Sequence, residues 1–103
     1  MRLEFSAYVE ADLDDIAAYI AADNPRRAVR FIDEITALFT VIADHPQLYR
    51  LRLEIRPDVR LVAHGNYVIL FRILGDSASI ERVVHGSRNL IVLFGLQKPQ
   101  GSG

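Results

Sequence analysis

Hydrophobic positions in the first half of the chain recur at helical spacing in two consecutive segments. In the first segment these positions are Val9, Leu13, Ile16 and Ile20. Their spacing predicts a helix over residues 7–22, with acidic side chains on its outer side. Ser6 precedes this segment and is a candidate N-cap, because its hydroxyl can accept a free backbone N–H of the first turn.

The second helical segment follows Asp23-Asn24-Pro25, where Asn24 can cap a helix and Pro25 suits its first position. Its apolar stripe consists of Ala28, Phe31, Ile32, Ile35, Phe39 and Ile42. The helix is expected to end near Asp44, because the residue before Pro46 avoids the helical region. Since very few residues join the two helices, we expect an antiparallel helical hairpin.

Strand-like patterns flank this hairpin in the sequence. A short first strand is predicted at residues 2–5, and further strands at residues 59–64, 67–74 and 79–85. Gly65-Asn66 and Gly75-Asp76 are typical of the turns that join antiparallel strands. The third predicted strand is apolar on both faces, which is expected of a central strand.

Two segments leave their secondary structure open. In residues 50–56 Leu51, Leu53 and Ile55 alternate with charged residues, which fits either a half-buried strand or an irregular extended arm. Residues 90–96 are apolar but too short to distinguish a helical turn from an extended tail.

This order of elements predicts an α+β fold in one domain over residues 1–96. The helical hairpin is expected on one face of a small antiparallel sheet, which leaves the other face for function. Residues 97–103 end in Gly-Ser-Gly and are expected to be a flexible tail.

Composition narrows the class of protein. The chain has no cysteine, which excludes disulfides, a thiol nucleophile and thiolate metal sites. Its first residues lack the apolar core of a signal peptide, and no apolar run approaches the roughly 20 residues that span a bilayer. We therefore expect a cytoplasmic protein without a membrane partner.

Charge is distributed unevenly along the chain. Residues 1–48 contain nine acids and four bases, whereas residues 49–103 contain four acids and eight bases. The overall net charge of −1 argues against a general nucleic-acid binder. The two halves could present an acidic and a basic face, or each could simply be solvated.

Candidate chemistry is sparse. Asp12, Asp14 and Asp15 are interpreted as solvated residues that complement the helix dipole rather than as metal ligands. The three histidines lack metal-ligand spacing, and no phosphate-binding or dinucleotide-binding loop is present. No metal and no cofactor are therefore expected.

The basic residues of the second half are the more promising group. His85 lies between Arg82 and Arg88 and could act as a general acid or base, or its ring could bond to the backbone at the sheet edge. Arg60, Arg72 and Arg82 could form a docking patch on the open sheet face. Alternatively, they could pair with Glu54 and Glu81.

The run from Arg82 to Leu90 resembles the RVxHGAR(D/N)L signature of ParE toxins. The pattern D-L-x-x-I-x-x-Y-I over residues 12–20 and the pattern N-P-x-x-A-x-x-F over residues 24–31 are similar to further landmarks of that family. Other corresponding features are His45-Pro46, Arg60 and the strand at residues 67–71. Tyr49 and Ser87 depart from the usual Gly and Ala of the pattern.

The resemblance implies the RelE/ParE fold and a toxin of a type II toxin–antitoxin system, such as those that stabilise plasmids. Such a toxin inhibits DNA gyrase without being an enzyme and is neutralised by a ParD-like antitoxin, and direct DNA binding by the toxin alone is not expected. The expected target-binding residues are Arg60, Arg72, Arg82, His85 and Arg88. The expected antitoxin-binding residues, on the apolar stripes of the hairpin, are Val9, Leu13, Ile16, Phe31 and Ile35.

Two alternatives remain open. The related RelE toxins cleave mRNA in the ribosome, and in that case Arg82, His85 and Arg88 would be the catalytic residues. Residues 87–96 contain no Lys, Tyr or His, which favours gyrase inhibition over this reaction. The third hypothesis is a structural or regulatory partner that has lost toxicity.

Overall fold

The computed structural model describes residues 1–96 of the chain. Its elements are β1 (Arg2–Phe5), α1 (Val9–Ala21), α2 (Pro25–Asp44), a short 3₁₀ helix (Pro46–Leu48), β2 (Val59–His64), β3 (Tyr67–Leu74), β4 (Ser77–His85) and α3 (Leu90–Leu96). The tail expected at residues 97–103 lies outside the described residues.

The four strands form one sheet in the order β1-β4-β3-β2. β2, β3 and β4 are joined by antiparallel pairing, as expected. β1 runs parallel to β4, with Arg2 opposite Ser77 and Phe5 opposite Ile80, so the sheet is mixed. A parallel pair needs a crossover connection, which the helical hairpin and the β2–β3 hairpin supply together. The predicted α+β class, with helices on a small sheet, is confirmed.

The two helices begin in different ways. Asn24 has an extended backbone, and its Oδ1 accepts the N–H of Arg27 at 3.0 Å, so α2 begins at Pro25 as predicted. α1 begins at Val9, two residues later than expected. The Ser6 hydroxyl accepts the Tyr8 N–H at 3.2 Å and donates to the Glu81 carbonyl, so it ties the chain to β4 before the helix starts.

The two segments left open by the sequence are now defined. Residues 51–58 form an irregular arm, with turns and one isolated bridge between Leu51 and Arg60, rather than a strand. Leu53 in this arm is 68% exposed, which a half-buried strand would not allow. Residues 90–96 form the helix α3. Both glycine turns join strands as expected, with positive φ at Gly65 and Gly75.

The main core lies between the helical hairpin and one face of the sheet. It contains the stripe of each helix and the facing positions of the strands. Its buried members are Val9, Ile16, Phe31, Ile35, Phe39, Ile42, Val62, Ile69, Phe71, Ala78, Ile80 and Val83.

The second sheet face is not open, contrary to the prediction. Leu93 and Phe94 of α3 pack on it, and the arm adds Ile55. The buried strand residues beneath them are Val59, Val68, Leu70 and Val84. The physical reason is that β3 is apolar on both faces, so its second face must also be removed from water. The arm before β2 and the helix α3 after β4 cover that face.

Candidate functional site

Arg82 is held by an acidic residue of α1. Its Nε and Nη2 donate to the two carboxylate oxygens of Asp12 at 2.7 and 2.8 Å, and Asp12 also accepts the backbone N–H of Val83 at 3.0 Å. Ala78 and Ile80 of β4 lie in the core under the helices, and Arg82, at the next alternate position, also reaches the helical side of the sheet. The register of β3 and β4 shifts between Leu70 and Phe71, which is a β-bulge, and Val83, next to Arg82, belongs to the same core.

Asp12 is therefore not the solvated acid that the sequence suggested. The residue is 8% exposed, and its pairing with Arg82 raises the pKa of that guanidinium despite the opposing effect of burial. The Arg82 guanidinium also lies 4.9 Å from the ring centroid of Tyr8. A bidentate, buried pair of this kind fixes α1 to β4.

Arg60 and Arg72 occupy different surroundings from Arg82. Arg60 donates to the Tyr49 carbonyl at 2.6 Å. Arg72 donates to Asp58 at 2.9 Å, with Glu81 3.5 Å away, under the arm on the second sheet face. The three arginines consequently do not form the predicted shared patch, and for Arg72 the alternative of pairing with Glu81 holds.

His85 is exposed at the end of β4. The backbone N–H of Ser87 donates to its Nδ1 at 3.1 Å, and the Ser87 hydroxyl lies 2.8 Å from the same atom. This is the backbone-bonded alternative considered for this ring. Because Nδ1 accepts, the neutral ring carries its hydrogen on Nε2. Arg88 is exposed nearby and makes no ion pair with a residue in the described part of the chain.

Two neighbouring depressions meet at His85 and Tyr67, whose rings contact edge to face with centroids 5.3 Å apart. The smaller depression encloses about 170 Å³ and reaches Asp12 and Arg88. The larger encloses about 270 Å³ and is lined by Tyr19, Ile20, Arg27, Phe31, Gly65, Asn66, Tyr67 and His85. Burial raises the pKa of the Tyr67 phenol, which keeps its hydroxyl protonated.

Tyr19, Arg27 and Tyr67 were not among the predicted site residues. Tyr19 lies off the apolar stripe of α1 and is 76% exposed. An aromatic residue outside the stripe of an amphipathic helix is the one sequence signal that marks Tyr19 as a candidate contact residue, although it does not place Tyr19 next to Tyr67.

A small polar network borders the larger depression. Glu34 accepts from Arg27 at 3.0 Å through one oxygen, and its other oxygen lies 2.8 Å from Nε2 of His64. The hydrogen bond with His64 and then that with Arg27 hold the pKa of Glu34 below its ordinary value. The network links α2 to the end of β2.

The predicted antitoxin-binding stripe is mostly used by the core. Val9, Ile16, Phe31 and Ile35 are buried against the sheet, and Leu13 is the member that remains partly exposed. These residues were expected on a free groove, but the sheet occupies it, because each helix has one apolar stripe and the fold buries it first.

Exposed apolar surface is found elsewhere on the hairpin. One groove runs between the end of α1 and the start of α2, lined by Ala17, Ala18, Ala21, Pro25, Ala28, Val29, Ile32 and Asp33. A second lies beside the edge strand β1, lined by Leu3, Phe5, Val9, Glu10, Leu13, Thr36 and Phe39. Leu13 and Val9 thus contribute to the floor of the second groove.

Comparison with known proteins identifies the family. The profile described as "ParE toxin of type II toxin-antitoxin system, parDE" matches residues 3–90. The chain belongs to the ParE toxin family. The match includes Asp12, Arg82, His85 and Arg88, and it ends at the first residue of α3.

Individual relatives agree with this assignment. Toxin ParE1 of Caulobacter vibrioides is 33% identical over 85 residues, which cover 82% of this chain and 88% of the relative. Toxin ParE3 of the same organism is 27% identical over 88 residues, covering 84% and 88%. A solved structure, described as the chromosomal ParDE TA system from P. aeruginosa, shares the fold, with a TM-score of 0.70, 23% identity and coverage of 82% and 95%.

Residues 1–96 present neither a metal cluster nor a membrane-spanning helix. No group of three or more His, Asp or Glu side chains there is arranged to hold a metal ion. No helix in that range is long and apolar enough to cross a membrane.

Proposed function

We propose that this ParE-family toxin acts by binding DNA gyrase, without catalysis, and that a ParD-like antitoxin neutralises it. Gyrase inhibition and antitoxin control are the behaviour that the sequence resemblance implies, and family membership supports both. Because gyrase acts on chromosomal and plasmid DNA, the proposal places the chain in the cytoplasm.

The observation that carries the choice between gyrase binding and mRNA cleavage is the pairing of Arg82 with Asp12. The ribonuclease alternative needs Arg82 to hold a phosphate. Both side chains are close to nine-tenths buried, at 12% and 9% exposure, and they share two hydrogen bonds. Freeing Arg82 would leave a buried carboxylate without its partner, which costs several kcal/mol. Arg82 therefore stabilises the fold and does not serve to bind a phosphoryl group.

The predicted target-binding residues then divide into two groups. His85 and Arg88 are exposed and can contact a partner directly. Arg60, Arg72 and Arg82 are bonded within the fold, and we assign them the role of holding the sheet and arm in place.

The ParD-like antitoxin is proposed to use the two apolar grooves of the hairpin. An amphipathic helix can place its apolar side chains in the groove between α1 and α2, which is lined mainly by alanines and by Val29 and Ile32. The groove beside β1 adds Phe5, which is about half exposed and contacts Phe39 edge to face. Leu13 and Val9 line this second groove, and we propose that they contact the antitoxin there.

Expression in a bacterium tests this function. The chain alone should arrest growth and induce the DNA-damage response, with cellular mRNA intact, and co-expression of the adjacent antitoxin gene should restore growth. The chain with His85→Ala is the comparison for the ribonuclease alternative. Ribosome-dependent mRNA cleavage that disappears in this variant would refute the proposal, and normal growth of cells that express the chain would support loss of toxicity.

A further inference from the structure

We propose that the depression between Tyr19, Tyr67 and His85 is the pocket with which the toxin binds its target protein. It would receive one aromatic side chain of gyrase and a neighbouring carboxylate of the same protein. This inference rests on the proposed function and assigns to it a pocket, a ligand chemistry and three residues that were not among the predicted site residues, namely Tyr19, Arg27 and Tyr67.

The size of the pocket limits its ligand. It encloses about 270 Å³, which is below the range of about 300–1,000 Å³ of pockets that take drug-sized molecules. A single aromatic ring fits such a space. An inserted side chain of a protein partner is therefore consistent with its size.

The walls favour an aromatic ring. Tyr67 contacts Phe31 on one side and His85 on the other, with ring centroids 5.3 Å apart in each pair. Tyr19 stands at the rim with its ring largely exposed. Rings prefer edge-to-face or offset contacts with further rings, and Tyr is among the residues that dominate binding energy at protein interfaces.

The polar groups at the rim favour a carboxylate next to that ring. Arg27 uses one N–H to bond Glu34 and has no second side-chain acceptor among residues 1–96. Arg88 lines the adjoining depression and has no acidic partner in the described part of the chain. His85 adds the hydrogen on Nε2. These donors complement an acidic group, and Arg binds carboxylates with two parallel hydrogen bonds.

Charge also distinguishes a protein from a nucleic acid as the occupant. Asp15 lines the adjoining depression and Glu34 borders the larger one, so the surface does not form a continuous basic track. The whole chain has a net charge of −1. Single-stranded nucleic acid requires a positively charged groove along its backbone, which this surface lacks.

The pocket is separate from the antitoxin grooves. No residue that lines it lines either apolar groove of the hairpin. Neither antitoxin groove is lined by an Arg, Tyr or His side chain, whereas this pocket combines the rings of Tyr67 and His85 with the guanidinium of Arg27. The antitoxin can therefore be assigned to the grooves of the hairpin, and the target protein to this pocket.

The experiment measures supercoiling by purified DNA gyrase as a function of toxin concentration. Tyr19→Ala should raise the half-inhibitory concentration about tenfold or more, as expected for removal of an interface hot spot, and Tyr19→Phe should restore most of the inhibition. Arg88→Gln should raise it severalfold. Leu48→Ala and Arg30→Gln remove exposed side chains elsewhere and should stay within about twofold of wild type.

Binding of the purified antitoxin to each variant separates the outcomes. Unchanged antitoxin affinity with weakened gyrase inhibition supports the pocket. Gyrase inhibition by Tyr19→Ala at the wild-type concentration overturns the pocket but not the proposed function. An equal loss of antitoxin affinity would assign the pocket to the antitoxin and overturn the inference. A wild-type chain that leaves gyrase unaffected overturns the proposed function itself.

Discussion

The ion pair of Asp12 and Arg82 provides the sharpest test of how the fold is held together. Replacing Asp12 by Ala leaves a guanidinium at 12% side-chain exposure without a carboxylate, and it also leaves the Val83 N–H without an acceptor. Breaking one side of a buried pair costs about 3–5 kcal/mol. Since a domain of this size has a total stability of about 5–15 kcal/mol, we expect a marginally folded variant.

The measurement is urea denaturation followed by circular dichroism, with thermal melting as a second readout. A loss of about 3 kcal/mol corresponds to a fall in Tm of about 12–24 °C for a chain of roughly 100 residues. Asp12→Asn retains one acceptor oxygen without the charge, so we expect a smaller loss, about 1–3 kcal/mol. Asp14→Asn is the matched control, because Asp14 is an exposed acid in the same helix, and it should change stability by less than about 0.5 kcal/mol.

A double-mutant cycle completes this test. With Arg82→Met added, Asp12→Ala no longer leaves an unpaired buried charge, so the double variant should lose less than the sum of the single variants. Additive losses, or an Asp12→Ala variant as stable as Asp14→Asn, would show that the pair does not contribute as its geometry indicates.

Three further predictions follow from individual contacts. Phe94→Ala should destabilise the domain by about 3–5 kcal/mol in urea denaturation, because Phe94 is 2% exposed in the second core. Val92→Ala, at 54% exposure in the same helix, should have little effect on stability. Equal losses of stability in the two variants would refute the assignment of α3 as a cover of the second sheet face. Asn24→Ala should cost about 1 kcal/mol through loss of the N-cap of α2, measured in the same way, while Asn24→Asp should retain most of the stability. The pKa of Glu34 is lower in the folded state, so its contribution to stability is fully present above its unfolded pKa of 4.5 and is lost as pH falls through its lower folded pKa. The stability of Glu34→Gln should therefore decline less steeply than that of the wild type below pH 4.5. Parallel stability profiles against pH would contradict this prediction.

Local patterns predicted the elements well because each one depends on residues close in sequence. The apolar stripes, the Asn24-Pro25 cap and the glycine turns established the hairpin and three of the strands. The parallel pairing of β1 with β4 was not predicted, because its register joins residues more than seventy positions apart.

The site was harder to predict because its geometry depends on tertiary contacts. Asp12 was expected to be solvated, but packing of α1 on β4 brings its carboxylate to Arg82 and to the Val83 N–H, and this contact joins residues about seventy positions apart. In the same way, helical periodicity could not show that the apolar stripes of α1 and α2, which contain Ile16 and Phe31, would be buried against the sheet. Exposed residues such as Tyr19 carry no periodic signal, so their convergence with Tyr67 required the fold.

Inhibition of DNA gyrase by direct binding is the function we propose for this ParE-family chain, and one measurement tests it most directly. Purified chain is titrated into a gyrase supercoiling reaction, with DNA cleavage products quantified, in the presence and absence of the purified antitoxin. We expect a saturable block of supercoiling with accumulating cleaved DNA, reversed by stoichiometric antitoxin. Normal supercoiling at toxin concentrations that arrest growth in cells would contradict it.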